Sequence, residues 1–270
     1  MGVLTCPERE PSMSQLKPAI LVTGAAKRIG AAIVSGLVRD GWVVALHYHH
    51  SRQEAEALAA SLNRDRRACF PIGADLSRRD EIEALISNTN AMLEKEARAK
   101  LSCLVNNANL FTYDSVANLT WELWEKALVP GLYAPVFLTK FFADTIAGDE
   151  HGLVINMLDQ KLQNLNPDFF SYTIGKFGLW GATKTMALAL APRIRVCGIA
   201  PGITFPSEKQ TAAQFERAWR KTPLGRSSTA DEIVQAVRFI IDTNCATGSV
   251  IVLDGGESLM KRGRDVAFDV

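Results

Sequence analysis

A single α/β domain on a seven-stranded parallel sheet is the fold that the sequence predicts, and three observations carry the prediction. From Pro18 onward short apolar runs alternate with longer amphipathic stretches. The first run ends at a glycine and passes directly into a stretch with helical spacing. No internal repeat, low-complexity tract or Pro/Ser-rich linker divides the 270 residues.

The runs, in order, are AILVTG (19–24), WVVALHY (42–48), RACFPIGAD (67–75), LSCLVNNA (101–108), GLVINML (152–158), RIRVCGIAPG (193–202) and SVIVLDGG (249–256). Each is short, rich in β-branched or apolar residues and bounded by turn formers, as a strand buried on both faces should be. Between the first two, Ala32, Ile33, Gly36 and Leu37 recur on one helical face, so the opening unit is βαβ. Before the last strand, Thr229 stands three residues ahead of Glu232, a capping-box pattern, and Ile233, Val237 and Ile240 then share one face of a helix. The resulting expectation is a Rossmann-type, doubly wound sheet with helices on both faces. Residues 18–270 form the domain, residues 1–17 a flexible arm, and 203–221, after Pro201-Gly202, a lid over the substrate.

Lys and Arg number 30 against 29 Asp and Glu, a net charge of +1, so bulk electrostatics call for neither nucleic acid nor an anionic membrane. Cys6, Cys69, Cys103, Cys197 and Cys245 are widely spaced and read as small hydrophobes in a reducing compartment. No Cys/His cluster has metal-ligand spacing and no apolar stretch nears the roughly 20 residues that span a bilayer. The first residues lack the charged and apolar regions of a secretory leader, which points to a cytoplasmic protein.

Two constellations carry chemistry. The first strand ends in Thr23-Gly24-Ala25-Ala26-Lys27-Arg28-Ile29-Gly30 and the first helix begins there. Such a junction offers backbone N–H groups and a helix N-terminus to a pyrophosphate, although a turn common to many α/β proteins would look the same. The second strand closes on His47-Tyr48-His49-His50-Ser51-Arg52 with no carboxylate before Glu54. Arg28 and Arg52, with imidazole and hydroxyl donors between, suit a ribose 2′-phosphate, so NADP(H) is expected; a solvated strand end is the bland alternative. Tyr172 and Lys176 are four apart on one helical face, where a fixed cation lowers a phenol's pKa and makes it a usable proton donor.

These motifs together resemble the short-chain dehydrogenase/reductase family across Ala19 to about Leu259: TGAAKRIG with Arg28 at the middle glycine, Asn106-Asn107-Ala108, Tyr172 to Lys176, and Pro201-Gly202. The resemblance implies that Tyr172 protonates, that Lys176 binds the nicotinamide ribose and tunes Tyr172, and that NADPH is held by Gly24, Arg28, Ile29, Gly30, His49, His50, Ser51, Asp75, Leu76, Asn107, Ala108, Lys176, Pro201 and Gly202. Within the family the sequence is similar to the pteridine reductases, which pair TGAAKR with HYH and carry aspartate where other members carry serine; here that residue is Asp159. By the same resemblance Phe111 stacks on a pterin. Asp159 also argues against a simple ketone, because an ionised carboxylate repels a developing oxyanion. Alone, Asp159 could equally be a turn residue and Phe111 core packing. The family's helix-borne asparagine aligns near Gly131, which leaves Lys176 to water or backbone carbonyls, and Asn109 replaces the serine of pteridine reductases.

The expected activity is thus NADPH-dependent reduction of a dihydropterin or dihydrofolate-like ring, with Tyr172, Lys176 and Asp159 catalytic and Phe111, Asp159 and Tyr172 on the substrate. A carbonyl reductase for another metabolite and a non-catalytic nucleotide sensor are the alternatives. A homotetramer, paired through the stretches from Trp121 to Asp144 and from Tyr172 to Ala189, is implied by the family; Phe137, Trp180 and Leu188 are its candidate contacts.

Overall fold

The computed structural model describes residues 16–206 and 211–268. Seven strands, β1 (Lys17–Val22), β2 (Val43–Tyr48), β3 (Cys69–Gly73), β4 (Ala99–Asn106), β5 (Gly152–Met157), β6 (Ile194–Pro201) and β7 (Val250–Leu253), form one all-parallel sheet in the order β3-β2-β1-β4-β5-β6-β7. Each matches one of the seven apolar runs. β1 pairs with β2 on one side and β4 on the other, so chain direction away from β1 reverses there and opens a crevice at the carboxyl ends of β1 and β4.

Helices cover both faces, as parallel strands require. On one face α1 (Arg28–Arg39), α2 (Arg52–Leu62) and α8 (Ala230–Asp242) bury Ile33, Leu37, Ala55, Ile233 and Val237 against Ile20, Val22, Val44 and Leu46. On the other, α3 (Arg79–Ala97), α5 (Ala134–Thr145) and α6 (Phe170–Leu190) bury Leu85, Leu138, Phe142 and Ala187 against Leu21, Ala45, Leu104 and Val154. The capping box before α8 is formed: Thr229 Oγ1 accepts from Glu232 N–H and the Glu232 carboxylate accepts from Thr229 N–H. Cys69, Cys103 and Cys197 are buried and Cys245 is exposed; Cys6 lies outside the described residues.

Two expectations need revision. The first strand begins at Lys17, inside the expected arm, because Lys17 N–H donates to Arg98 O at 2.9 Å and the residue pairs with Ala99; residues 1–15 of that arm lie outside the described residues. The stretch from Trp121 to Asp144 is not one helix. α4 (Trp121–Leu128) passes into a π-helical turn at Val129–Tyr133 and then into α5. Pro130 and Pro135 lack the N–H groups that a continuous α-helix would use, and Ala134 N–H reaches back to Val129 O instead. The expected lid holds a short helix, α7 (Ala212–Arg220), while its residues 207–210 lie outside the described residues. Among the described residues no helix is long and apolar enough to cross a membrane.

Candidate active site

A cleft of about 960 Å³ runs along the carboxyl edge of the sheet. One end is the crevice at β1. There Gly24, with φ of +60°, makes a turn so close to the loop after β4 that a Cβ would lie 2.7 Å from Ala108 Cα. Gly30 is as tightly enclosed, a Cβ falling 2.5 Å from Gly24 O. Asn107 Nδ2 donates to Thr23 O and Gly24 O at 2.9 and 3.0 Å, and Thr23 Oγ1 accepts from the N–H groups of Asn107 and Ala108. At Gly24 and Gly30 the turn is therefore bare backbone, as the close approach of a pyrophosphate requires.

His47 holds this cradle from below, a role its place in the HYHH run does not announce. Its Nδ1 accepts from Gly24 N–H at 3.0 Å, which leaves Nε2–H to donate to Ala74 O at 3.0 Å. The ring is buried at 1% exposure, and burial drives its pKa down to about 4.

His49, His50, Ser51, Asp75 and Leu76 line the cleft beyond the end of β2, as do Ile29 and Lys27. The His49 and His50 rings lie 3.5 Å apart rather than on opposite sides, because the chain has left its strand geometry at Tyr48. His49 Nε2 is 3.5 Å from the Asp75 carboxylate; among the described residues no group of three His, Cys, Asp or Glu could hold a metal. The two arginines do not flank this end together. Arg52 turns along α2 to Glu56 at 2.7 Å. Arg28 takes a left-handed conformation, φ +53°, at the position where the family has glycine, and its guanidinium crosses the cleft to Pro206 O at 2.9 Å and over the Phe205 ring. Lys27, paired with Glu54 at 2.6 Å, is the nearer cation, and sequence reading passed it over.

The other end is built by the amino-terminal turn of α6. Asp114, from the loop after β4, accepts from Ser171 N–H and Oγ and so satisfies donors that the first turn of a helix leaves open. This fixes Tyr172 and Lys176, one turn apart, over the end of β5. Tyr172 Oη donates to Asp159 Oδ2 at 2.6 Å, while Asp159 Oδ1 accepts from Lys161 N–H at 2.9 Å. Asp159 is thus both a turn cap and the partner of the phenol. Burial raises the Asp159 carboxyl above its ordinary pKa. The phenol is not lowered as the Tyr-Lys spacing predicts: burial and then the Asp159 charge push it well up. Lys176 Nζ instead donates to Met157 O at 2.5 Å, the backbone-carbonyl anchor that Gly131 leaves available, and burial lowers its pKa to about 8.

Phe111 is half-exposed at the cleft wall, stacked on Phe169 at 3.9 Å and edge-on to Tyr172 at 4.8 Å. The room at Gly131 is taken by Asn109, whose Oδ1 would lie 2.9 Å from a Cβ there. Pro201, Gly202 and Phe205 close the cleft from β6. A clamp unseen in the sequence completes this end. Lys161, 2% exposed, donates to Asn166 Oδ1, Asp168 O and Asp265 Oδ2, and Arg264 grips the Asp168 carboxylate through two hydrogen bonds. Asp265 and Val266 are thereby drawn into the cleft wall.

Comparison with known proteins agrees with this geometry. Residues 18–216 match the family model described as short chain dehydrogenase. The chain belongs to that family. Pteridine reductase 1 of Leishmania tarentolae is 31% identical to this family member over 92% of the chain and 99% of the relative. The crystal structure of FolM alternative dihydrofolate reductase 1 from Brucella suis, in complex with NADP, superposes with a TM-score of 0.82 at 40% identity over 90% of this chain and 96% of that one. The Brucella canis protein of the same description, also with NADP, gives 0.83 at 39% identity over 92% and 97% of the two chains.

The His47 bridge predicts acid sensitivity at the cofactor end. The folded pKa near 4 lies below the ordinary 6.5, so the unfolded chain binds the extra proton first. The stability tied to neutral His47 is complete above about pH 6.5 and is lost as the pH falls toward about 4, to the order of 3 kcal/mol at roughly 1.4 kcal/mol per pKa unit. Melting temperature followed from pH 7 to pH 4 should fall more steeply for wild type than for His47→Asn, whose amide can accept and donate without titrating.

Proposed function

We propose that this chain is an NADPH-dependent reductase of a pterin, a dihydropterin or dihydrofolate-like ring. The observation that carries the reading is the 2.6 Å hydrogen bond between Tyr172 and Asp159 beside the half-exposed Phe111 ring. The similarity to pteridine reductase 1 and to the NADP-bound FolM proteins supports it. The Gly24 and Gly30 turn fits a dinucleotide, because neither position has room for a Cβ against the neighbouring chain and the tight turn so formed opens on the cleft.

In this reading Gly24, Ile29 and Gly30 receive the pyrophosphate, Lys27, His49, His50 and Ser51 the 2′-phosphate, Asp75 and Leu76 the adenine edge, and Lys176, Pro201 and Gly202 the nicotinamide end. NADPH supplies a hydride to the ring. Phe111 holds that ring flat, and Tyr172 gives its proton to the ring nitrogen next to the reduced carbon. Asp159, the acceptor of the phenol's hydrogen bond, relays a proton back to it after the transfer. Lys176 keeps a positive charge beside the developing phenolate. The carboxylate thus serves a substrate that accepts a proton on nitrogen and disfavours one that develops an oxyanion.

Cofactor choice tests the 2′-phosphate end. kcat/KM with NADPH should exceed that with NADH by about tenfold to a hundredfold, the worth of one or two charge-assisted hydrogen bonds. Lys27→Ala should narrow the ratio.

Asp159 tests the reaction. Asp159→Ser should cut dihydropterin reduction by about a hundredfold or more, leave NADPH affinity unchanged and raise turnover of simple ketones, since serine is the neutral donor an oxyanion needs. Unchanged dihydropterin turnover, with an unchanged melting temperature, would overturn the assignment.

The assembly belongs to the same reading. Phe137, Trp180 and Leu188 are 53%, 38% and 83% exposed on α5 and α6, an apolar surface suited to a two-fold contact in a cytoplasmic homotetramer. Light scattering at micromolar concentration should give about four times the 29.5 kDa chain mass.

A further inference from the structure

Glu257 is a buried carboxyl with one oxygen left without a donor. It is 1% exposed, it lines the cleft, and among the described residues no donor reaches its Oε2. Gln160, 8% exposed on the same cleft, has an equally unsatisfied Oε1. Leaving a polar oxygen dry and unpaired is costly, so two such acceptors opening on one cavity need a reason.

The backbone that carries Glu257 is held from several sides while one of its carboxyl oxygens stays unpaired. Asp254 accepts from Gly256 N–H at 2.8 Å and from Ser258 N–H at 2.7 Å, and Glu257 O accepts from Asn164 Nδ2 at 3.2 Å. Gly255, at φ +64°, packs so closely under Arg226 that a Cβ would lie 1.9 Å from its carbonyl oxygen. The turn cannot swing Glu257 out to water without breaking these contacts. Burial pushes its pKa up to about 7; Arg262 opposes that shift, and Asp159, Asp265 and Asp254 add to it. Among the described residues, Glu257 Oε2 and Gln160 Oε1 are two acceptors without a donor on residues that line one cleft, the complement of a ligand edge that carries N–H groups.

We infer that Glu257, assisted by Gln160, is a substrate-binding residue that selects the heterocycle by its donor edge, accepting from a ring N–H and the adjacent exocyclic amino group of a 2-amino heterocycle and excluding its 2-oxo counterpart. A carboxylate matches two adjacent donors with two oxygens. A carbonyl in place of the amino group meets that carboxylate acceptor to acceptor, and a site built to bond an N–H discriminates strongly against an analogue that lacks it. The inference deepens the proposed reading and rests on it for the class of ring.

The test uses enzyme saturated with NADP⁺, which cannot supply hydride, and two probes, pterin and lumazine, which differ only in carrying an amino or an oxo group at ring position 2. Fluorescence quenching gives Kd for each. Glu257→Gln should weaken pterin binding by about tenfold to a hundredfold and leave lumazine unchanged or tighter, because the new amide N–H₂ can donate to its carbonyl. Glu257→Leu should lose the same selectivity while its melting temperature holds or rises, since an unpaired buried carboxyl has been removed. A structural role for Glu257 would instead lower the melting temperature and leave the ratio of the two Kd values alone, and that result overturns the inference. So does a wild type that binds neither probe. If wild type reduces dihydropterin but Glu257→Gln keeps the selectivity, the inference falls and the reaction stands. If no dihydropterin is reduced yet probe selectivity depends on Glu257, the reaction falls and the inference stands.

Discussion

The closeness of the β1 and β4 chain ends governs the cleft. At Gly24 the backbone packs too closely on Ala108 to admit a Cβ, and the residue is held on both sides: its N–H by His47, its carbonyl by Asn107. A turn so constrained cannot adapt to its ligand, so the ligand must match it. The same contacts tie together the ends of three strands, β1, β2 and β4, and the loops that carry His49 and Phe111 depart from two of them. Preorganisation of this kind is what allows weak individual hydrogen bonds to set a position.

The two ends of the cleft are built on different principles. The turn at Gly24 is backbone and small residues joined by neutral hydrogen bonds between β-loops, with charged side chains only at its margin. The substrate end is a concentration of charge in little water: Asp159, Tyr172, Lys176, Lys161, Asp265 and Glu257 all lie on or against it. Burial moves Asp159 and Glu257 upward and Lys176 downward, so these groups ionise less readily than they would in solvent. Groups shifted toward neutrality are those that can exchange protons near neutral pH.

What the sequence made legible follows the range of the interactions involved. The seven strands, the glycine turn and the Tyr172–Lys176 pair are local patterns, and the residues expected to bind cofactor and substrate do lie along one cleft. Lys161 reads as an ordinary surface lysine in LDQKLQ; only the return of Asp265, 104 positions later, explains its burial. His47 looked like one of three equivalent imidazoles until β3 placed Ala74 O against it. The break between α4 and α5 had a local signal in Pro130 and Pro135, but their effect depends on whether a wider turn can be packed there. Arg28 points to the lid because its own backbone is left-handed, a property that residue type alone does not announce.

The clamp on the C-terminal segment has a consequence for how the cleft responds to its medium. Arg264 is 55% exposed where it holds Asp168, whereas Lys161 and Asp265 face each other at 2% and 11%. Ions in solution screen the outer pair and scarcely reach the inner one. Raising ionic strength therefore loosens the outer fastening of the wall that carries Asp265 and Val266, while the frame around Gly24, held by neutral hydrogen bonds, is left as it was. The cleft is in this sense stiff toward salt at one end and yielding at the other.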